Sequence, residues 1–198
     1  KGGFDKEYPA HLPPNATNFG TPAEFLAFIA AAQTAGVLTM PYSNPTLWAD
    51  NPRGPTFLTA GEAPLARKTD GSLASEIYFG EPGYAATPWH PDTREANRKT
   101  IGLFTASSST NYPSDTHYPV DLFFEDQVGA RSWQYDLNTN SPAATAYVHG
   151  LAAIAAEDST KLPVSTENGF DRLINFHSQF CGLAWGLVPT PGAPVWRR

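Results

Sequence analysis

The sequence predicts an α/β fold: a parallel sheet of the (β/α) barrel type, an incomplete portion of a TIM barrel filling residues 1–198 as one domain. Three observations carry this. Short apolar segments alternate with helical ones through short turns, the pattern of successive βαβ units. The apolar segments run straight into polar, carboxylate-bearing residues, as barrel strands do at their carboxyl ends. No Gly-rich dinucleotide turn and no phosphate-loop Gly-Lys-Ser/Thr follows the first strands, so a nucleotide-binding doubly wound sheet loses ground to a barrel.

The elements follow in order. Thr21-Pro22-Ala23-Glu24 is a capping box with proline at the first helical position. It opens a helix whose apolar positions, Phe25, Leu26, Phe28, Ile29 and Ala32, recur at helical spacing, and Gly36 is placed to end it. Val37-Leu38-Thr39-Met40 reads as a strand and Pro41 to Trp48 as its loop. Residues 49–89 read as a long irregular stretch broken by Gly-Pro and Gly-Glu turns, with one strand at Ser75 to Phe79. His90-Pro91 starts a second helix through Arg94, Ala96, Arg98 and Thr100 towards Phe104. Val120 to Phe124 is the clearest strand and runs into Glu125-Asp126-Gln127. Ser141-Pro142 is expected to cap a third helix, Ala143 to Glu157, with Tyr147, Leu151 and Ile154 on one face. Leu162 to Ser165 is the next strand, followed by Thr166-Glu167-Asn168-Gly169. A helical stretch over Asp171–Phe180 and a strand over Cys181–Val188 complete the reading.

Composition narrows the function classes. Hydrophobic residues at 41% and aromatics at 13% supply a packed core and exclude a disordered chain. Thirteen Lys+Arg against 19 Asp+Glu, a formal net charge of −6, argue against nucleic acid as a partner, since that needs a basic patch to neutralise phosphates. The longest apolar run, Phe25 to Ala32, falls far short of the roughly 20 residues of a membrane span. Nineteen prolines and 16 glycines point to long, rigid, ordered loops. The lone cysteine, Cys181, cannot form an internal disulfide, and its apolar surroundings predict a buried structural thiol. The chain opens Lys1-Gly2-Gly3-Phe4 with no initiator Met and no signal-type segment, as a mature product or a piece of something longer does. With the sequon Asn15-Ala16-Thr17, this leads us to expect a secreted or extracytoplasmic protein.

Barrel chemistry sits at strand carboxyl ends, and three of the four firmest strand ends carry a carboxylate. Gly2-Gly3-Phe4 ends in Asp5, Leu122-Phe123-Phe124 in Glu125-Asp126-Gln127, and Pro163-Val164-Ser165 in Thr166-Glu167-Asn168; the strand before Tyr42-Ser43-Asn44 is the exception. Two carboxylates from different strands converging on one pocket suit glycoside hydrolysis, one protonating the leaving oxygen while the other attacks the anomeric carbon or activates water. The alternative is that these acids cap the following helices or pair with Arg131 and Arg172. Side chains alternate along a strand, so Glu125 and Asp126 cannot both point inward unless the strand has ended. Tyr42, Trp48, Trp89, Trp133 and Tyr135 fall in loops or at strand ends, where rings either stack on sugar faces or pack beneath the loops as a satellite core. Arg131 is either a substrate hydrogen-bond donor or a salt-bridge partner. Asp5 and Asn44 complete the substrate-binding candidates.

Other chemistries have less support. The five histidines are scattered, with no His-x-His and no His-Glu-x-x-His, so a zinc hydrolase is not indicated, and His149 reads as a surface or capping residue. No Gly-x-Ser-x-Gly elbow appears. A metal-dependent hydrolase using Asp5, Glu125 and Glu167 is the weakest reading; no metal and no cofactor are expected.

Four blocks carry a family resemblance: Gly2-Gly3-Phe4-Asp5 with Tyr8-Pro9, Met40 to Trp48, Phe124 to Arg131, and Ser165 to Arg172. In this order they resemble the signature blocks of a bacterial family of unknown function within the glycosyl-hydrolase barrel superfamily. More distantly, the arrangement is similar to endo-α-N-acetylgalactosaminidases. The resemblance implies Asp126, or its neighbour Glu125, as nucleophile, Glu167 as acid/base, and retaining hydrolysis of an O-glycosidic bond in an oligosaccharide or glycoconjugate. A full barrel needs roughly 250 residues, so the 198 here are expected to leave sheet edges that further barrel segments or a second copy of the chain cover. A non-catalytic carbohydrate-binding or assembly module derived from such an enzyme is the alternative.

Overall fold

The computed structural model describes residue 8 and residues 20–50, 55–78, 80–105 and 117–182. The first block of the resemblance apart from Tyr8, the sequon, and the segment beyond Gly182 lie outside these residues.

Helix α1 (Pro22–Thr34) begins as its sequence requires. The Thr21 hydroxyl accepts the Glu24 N–H at 3.2 Å, and the Glu24 carboxylate accepts the Thr21 N–H at 2.7 Å. Gly36, at φ +76°, closes the other end in a Schellman turn, with the Val37 N–H on the Ala32 carbonyl at 2.9 Å.

The strand expected at Val37–Met40 forms further on, as β1 (Tyr42–Ser43). The Phe124 N–H donates to the Pro41 carbonyl and the Asp126 N–H to the Ser43 carbonyl, both at 2.9 Å. Pro41 has no N–H to return, so the ladder cannot extend back through it. Val37 and Leu38 are left exposed.

The stretch read as irregular holds a second sheet. Strands β2 (Leu47–Ala49), β3 (Ser75–Tyr78) and β4 (Glu81–Ala85) pair antiparallel in the order β2-β4-β3, with helix α2 (Pro55–Ala60) between β2 and β3. Pro82 and Gly83 hide β4 from propensity reasoning. Gly83 is required by close packing: a Cβ there would lie 3.0 Å from the Trp48 carbonyl oxygen.

Helix α3 (Pro91–Leu103) is capped by His90, whose Nδ1 accepts the Asp92 N–H at 3.1 Å. Strand β5 (Phe123–Glu125) follows. Helix α4 (Tyr147–Asp158) starts at Tyr147, not Ala143, because the preceding residues are held in turns. Asp136 Oδ1 accepts the Asn138 N–H and Asn138 Oδ1 the Asn140 N–H, each at 2.9 Å. The Asn138 amide also donates to the Ala63 and Leu65 carbonyls, which ties this turn to the antiparallel sheet.

Strand β6 (Val164–Glu167) precedes a short 3-10 turn, Asp171–Leu173, and strand β7 (His177–Cys181). The helix expected over Asp171–Phe180 is replaced by that 3-10 turn, a further turn and, from His177, strand. Leu173, Phe176 and Phe180 do have helical spacing and do pack inward. Pairing with the open side of β6 overrides that local pattern. A strand therefore ends at Cys181, where one was expected to begin, and residues 183–188 of that expectation lie outside the described residues. The Cys181 thiol, expected to be buried, is exposed on the outermost described strand.

Strands β1, β5, β6 and β7 form one parallel sheet in that order. Ile29 of α1 and Ile101 of α3 bury against Phe123 and Val164 on one face. Tyr147, Leu151 and Ala155 of α4 join Val128 and Leu173 to Ala74 and Ala85 beside the antiparallel sheet. That sheet is an insertion in the connection leaving the carboxyl end of β1. Among the described residues no helix is long and apolar enough to cross a membrane.

Candidate active site at the strand carboxyl ends

The alternation of side chains sorts the strand-end acids onto opposite faces. Phe123 packs among α1 and α3, so Glu125, two residues on, also points to the helical side. Phe124 packs on Tyr42, with ring centroids 5.8 Å apart, and Asp126 follows it onto the inner face.

Asp126 is held by two donors from the segment after β1. Tyr42 Oη donates to Asp126 Oδ2 at 3.2 Å and Asn44 Nδ2 to the same oxygen at 3.1 Å. Asn44 is itself fixed, its Oδ1 accepting the Thr46 N–H at 3.0 Å and the Leu47 N–H at 2.9 Å. Burial and the neighbouring Glu167 carboxylate push Asp126 up to about 7, against the downward pull of Tyr42 and Asn44. The Glu167 carboxyl thus stands close to Asp126, from the neighbouring strand β6.

Glu167 ends β6 and receives Gln127 Nε2 on its Oε2 at 3.0 Å. Gln127 and Asn168 adopt positive φ, +66° and +49°, directly after the two acid-bearing strands. Non-glycine residues there are uncommon and occur where surrounding contacts over-determine the backbone. Those contacts are visible. The Gly129 N–H donates to Thr166 Oγ1 at 2.9 Å, Thr166 Oγ1 donates to the Glu125 carbonyl at 2.7 Å, and the Gly169 N–H donates to the Gly129 carbonyl at 3.1 Å. A Cβ on Gly129 would fall against the Glu167 carbonyl oxygen. The turns after β5 and β6 are thus locked to each other.

Glu125 belongs to a different group. It is fully buried, with Oε2 2.8 Å from His177 Nε2 on β7. The Asp158 carboxyl of α4 lies beside it. Asn97 Nδ2 donates to Asp158 Oδ2 at 2.6 Å. Burial pushes Glu125 up to about 7 and Asp158 well above the usual carboxylate range, while burial drives His177 down to about 4. The cluster sits between sheet and helices, behind the Asp126 face.

The remaining candidates divide. Trp48 is fully buried in a cluster with Leu65 and Ala86, so it is core. Trp89 donates its indole N–H to the Ala146 carbonyl at 2.9 Å, fixing the start of α4. Arg131 is a salt-bridge partner: its guanidinium pairs with both oxygens of Glu76, and its Nε donates to Thr46 Oγ1 at 2.8 Å. Trp133 and Tyr135 stay exposed. Asp5 lies outside the described residues. His149 is an exposed contact of Arg172. Among the described residues no group of three His, Cys, Asp or Glu side chains is arranged to hold a metal ion. Sequence reasoning missed His177, Asp158, Asn97 and Gln127. Only Gln127 left a signal, by its place beside Asp126 at a strand end.

No family model and no curated protein matches the chain. Among solved structures, the fold is similar to the α-N-acetylgalactosaminidase NagBb from Bifidobacterium bifidum in complex with GalNAc, at TM-score 0.74 and 14% identity, over 96% of this chain and 29% of that one. It is also similar to the α-galactosidase TtGalA from Thermus thermophilus in complex with stachyose, at TM-score 0.53 and 13% identity, over 79% and 30%. A GH31 sulfoquinovosidase from E. rectale aligns at TM-score 0.56 and 12% identity, over 79% and 23%. At such identities the likeness shows the fold alone, that of a partial TIM barrel. The chain spans less than a third of the length of these structures, and its four parallel strands correspond to part of a barrel.

Proposed function

We propose that this chain carries the catalytic acids of a retaining glycoside hydrolase, with Asp126 as nucleophile and Glu167 as acid/base. The convergence of these two carboxyls from the paired ends of β5 and β6, close enough for Glu167 to push Asp126 up, carries the reading. Neighbouring strand ends suit the short separation of a retaining pair, about 5–5.5 Å, better than the about 6.5–9.5 Å that an inverting site keeps to admit a water. Tyr42 and Asn44 favour the ionised form of Asp126, the form a nucleophile needs.

In the first step Asp126 Oδ1, the oxygen not engaged by Tyr42 and Asn44, bonds to the anomeric carbon. The glycosidic C–O bond breaks, and the Glu167 proton passes to the departing oxygen. In the second step Glu167 takes a proton from a water whose oxygen bonds the anomeric carbon, and the ester to Asp126 breaks. Glu125 takes no part in either step, because it faces the helical side. The names of the fold neighbours support an α-linked galactose or N-acetylgalactosamine at the cleaved position.

The test is hydrolysis of an aryl α-glycoside panel by the wild type, Asp126→Asn and Glu167→Gln. We expect turnover by the wild type and its loss in both variants; equal activity in all three overturns the assignment. The second reading, a sugar-binding module without turnover, is favoured by the open described edges of the parallel sheet at β1 and β7. Binding of an oligosaccharide with no hydrolysis of any panel member decides for it.

A further inference from the structure

Trp133 and Tyr135 are 53% and 45% exposed, although large aromatic rings normally bury their faces. Their centroids lie 4.6 Å apart with planes at 70°, an edge-on pair that leaves ring surface bare. The two residues flank a cavity of about 420 Å³, also lined by Lys68, Thr69, Ser75 and Glu76. That volume lies within the range of small-molecule sites, about 300–1,000 Å³.

The segment carrying the rings is clamped at both ends. Upstream, Arg131 is anchored on Glu76 and Thr46. Downstream, Asp136 Oδ1 accepts the Arg67 N–H at 3.2 Å, the Asp136 N–H donates to the Ala144 carbonyl at 2.9 Å, and the Leu137 N–H donates to the Arg67 carbonyl at 2.8 Å. Exposed rings on a rigid support lose little entropy when a ligand covers them.

Topology places the cavity relative to the acids. One wall belongs to the loop after β5, which begins at Asp126. The other belongs to the antiparallel sheet, inserted after β1. Both leave the carboxyl end of the parallel sheet, the end that carries Asp126 and Glu167. Arg131 joins the two walls, and Glu76 spends both carboxylate oxygens on it. The lining that remains is aromatic rings, hydroxyls, one ammonium, the Gln134 amide and the Ala74 methyl. Such a lining suits a neutral polyhydroxylated ligand, with C–H faces for the rings and hydroxyls for the polar edge.

We propose that this cavity is a saccharide subsite that takes a second sugar unit of an oligosaccharide whose scissile bond lies at Asp126 and Glu167. It rests on the glycosidase reading for the bond being cleaved, but not for binding itself. The experiment is fluorescence titration of the Asp126→Asn protein with defined mono- to tetrasaccharides ending in α-galactose or α-N-acetylgalactosamine. Trp133→Ala, Tyr135→Ala and Trp133→Phe are compared in the same background, each checked for an unchanged melting transition. The expected result is binding that tightens with chain length, is weakened at least tenfold for the longer saccharides by Trp133→Ala, and is largely kept by Trp133→Phe. Trp133→Ala and Tyr135→Ala binding every saccharide as tightly as the parent, or no saccharide binding the parent, overturns the subsite. Trp133-dependent binding without hydrolysis by the wild type leaves the subsite standing and removes the glycosidase reading.

Discussion

The Asn44 amide nitrogen stands 3.1 Å from Asp126 Oδ2 while its carbonyl oxygen takes two backbone N–H groups of the turn that follows. Its three hydrogen bonds leave the side chain one orientation, and that orientation fixes the carboxylate. Removing the donor takes a hydrogen bond from the ionised form of Asp126, so its titration moves further up. Asn44→Ala should therefore lower kcat/KM by about 100-fold through misplacement of the carboxylate. The acid limb of its pH profile should shift to higher pH. A profile that falls in amplitude without moving assigns Asn44 a purely structural role.

The buried Glu125 makes stability depend on pH with a definite sign. It holds its proton to about 7 in the folded protein and releases it near 4.5 when unfolded. The folded state therefore binds more protons across that window, and stability falls as pH rises through it. Asp126 contributes in the same direction. His177 works oppositely, from 6.5 unfolded to about 4 folded, so its contribution is lost as pH falls. Glu125→Gln removes the first effect, together with the part of the Asp158 shift that Glu125 causes. Its melting temperature relative to wild type should rise from about pH 4.5 and level off above about pH 7; a difference that stays constant contradicts the buried proton.

Gly129 is required by contact with the acid-bearing strand end. A side chain there meets the Glu167 carbonyl and comes within 2.7 Å of Thr166 Cγ2. Gly129→Ala should cost about 1–3 kcal/mol in chemical denaturation, the range for overpacking a tight site. Activity should fall in the fraction that remains folded, because Glu167 must move. A variant with wild-type stability and turnover shows that the two turns are not coupled.

Arg131 and Glu76 join the turn after β5 to the antiparallel sheet from a largely buried position, with the arginine side chain only 6% exposed. Removing one partner of such a pair leaves an uncompensated charge and costs about 3–5 kcal/mol. Arg131→Met should show that loss by denaturant unfolding. The double variant with Glu76→Gln should recover part of it, and purely additive losses contradict the coupling.

The sequence foretold the strand–helix alternation, the Thr21–Glu24 capping box and the placement of Asp126 and Glu167 at strand ends because each depends on neighbouring residues. The Thr21–Glu24 cap and the carboxylates beyond Phe124 and Ser165 need no knowledge of the rest of the chain. What was illegible depends on distant partners. Pro41 delays β1 only because β5 lies alongside it. Gly83 reads as a strand breaker and is required by the close approach of Trp48. Trp48 and Trp133 look alike in sequence, yet one fills the core and the other stays bare. His177 reaches Glu125 across 52 residues, and no local pattern announces such a pairing.

The central claim is that Asp126 bonds covalently to the sugar while Glu167 moves the proton. Incubation with an activated fluoroglycosyl fluoride, followed by intact mass and peptide mapping, reads it directly. The account predicts one added glycosyl unit, located on Asp126 and absent from Asp126→Asn. An adduct on another residue, or none at all, would contradict it.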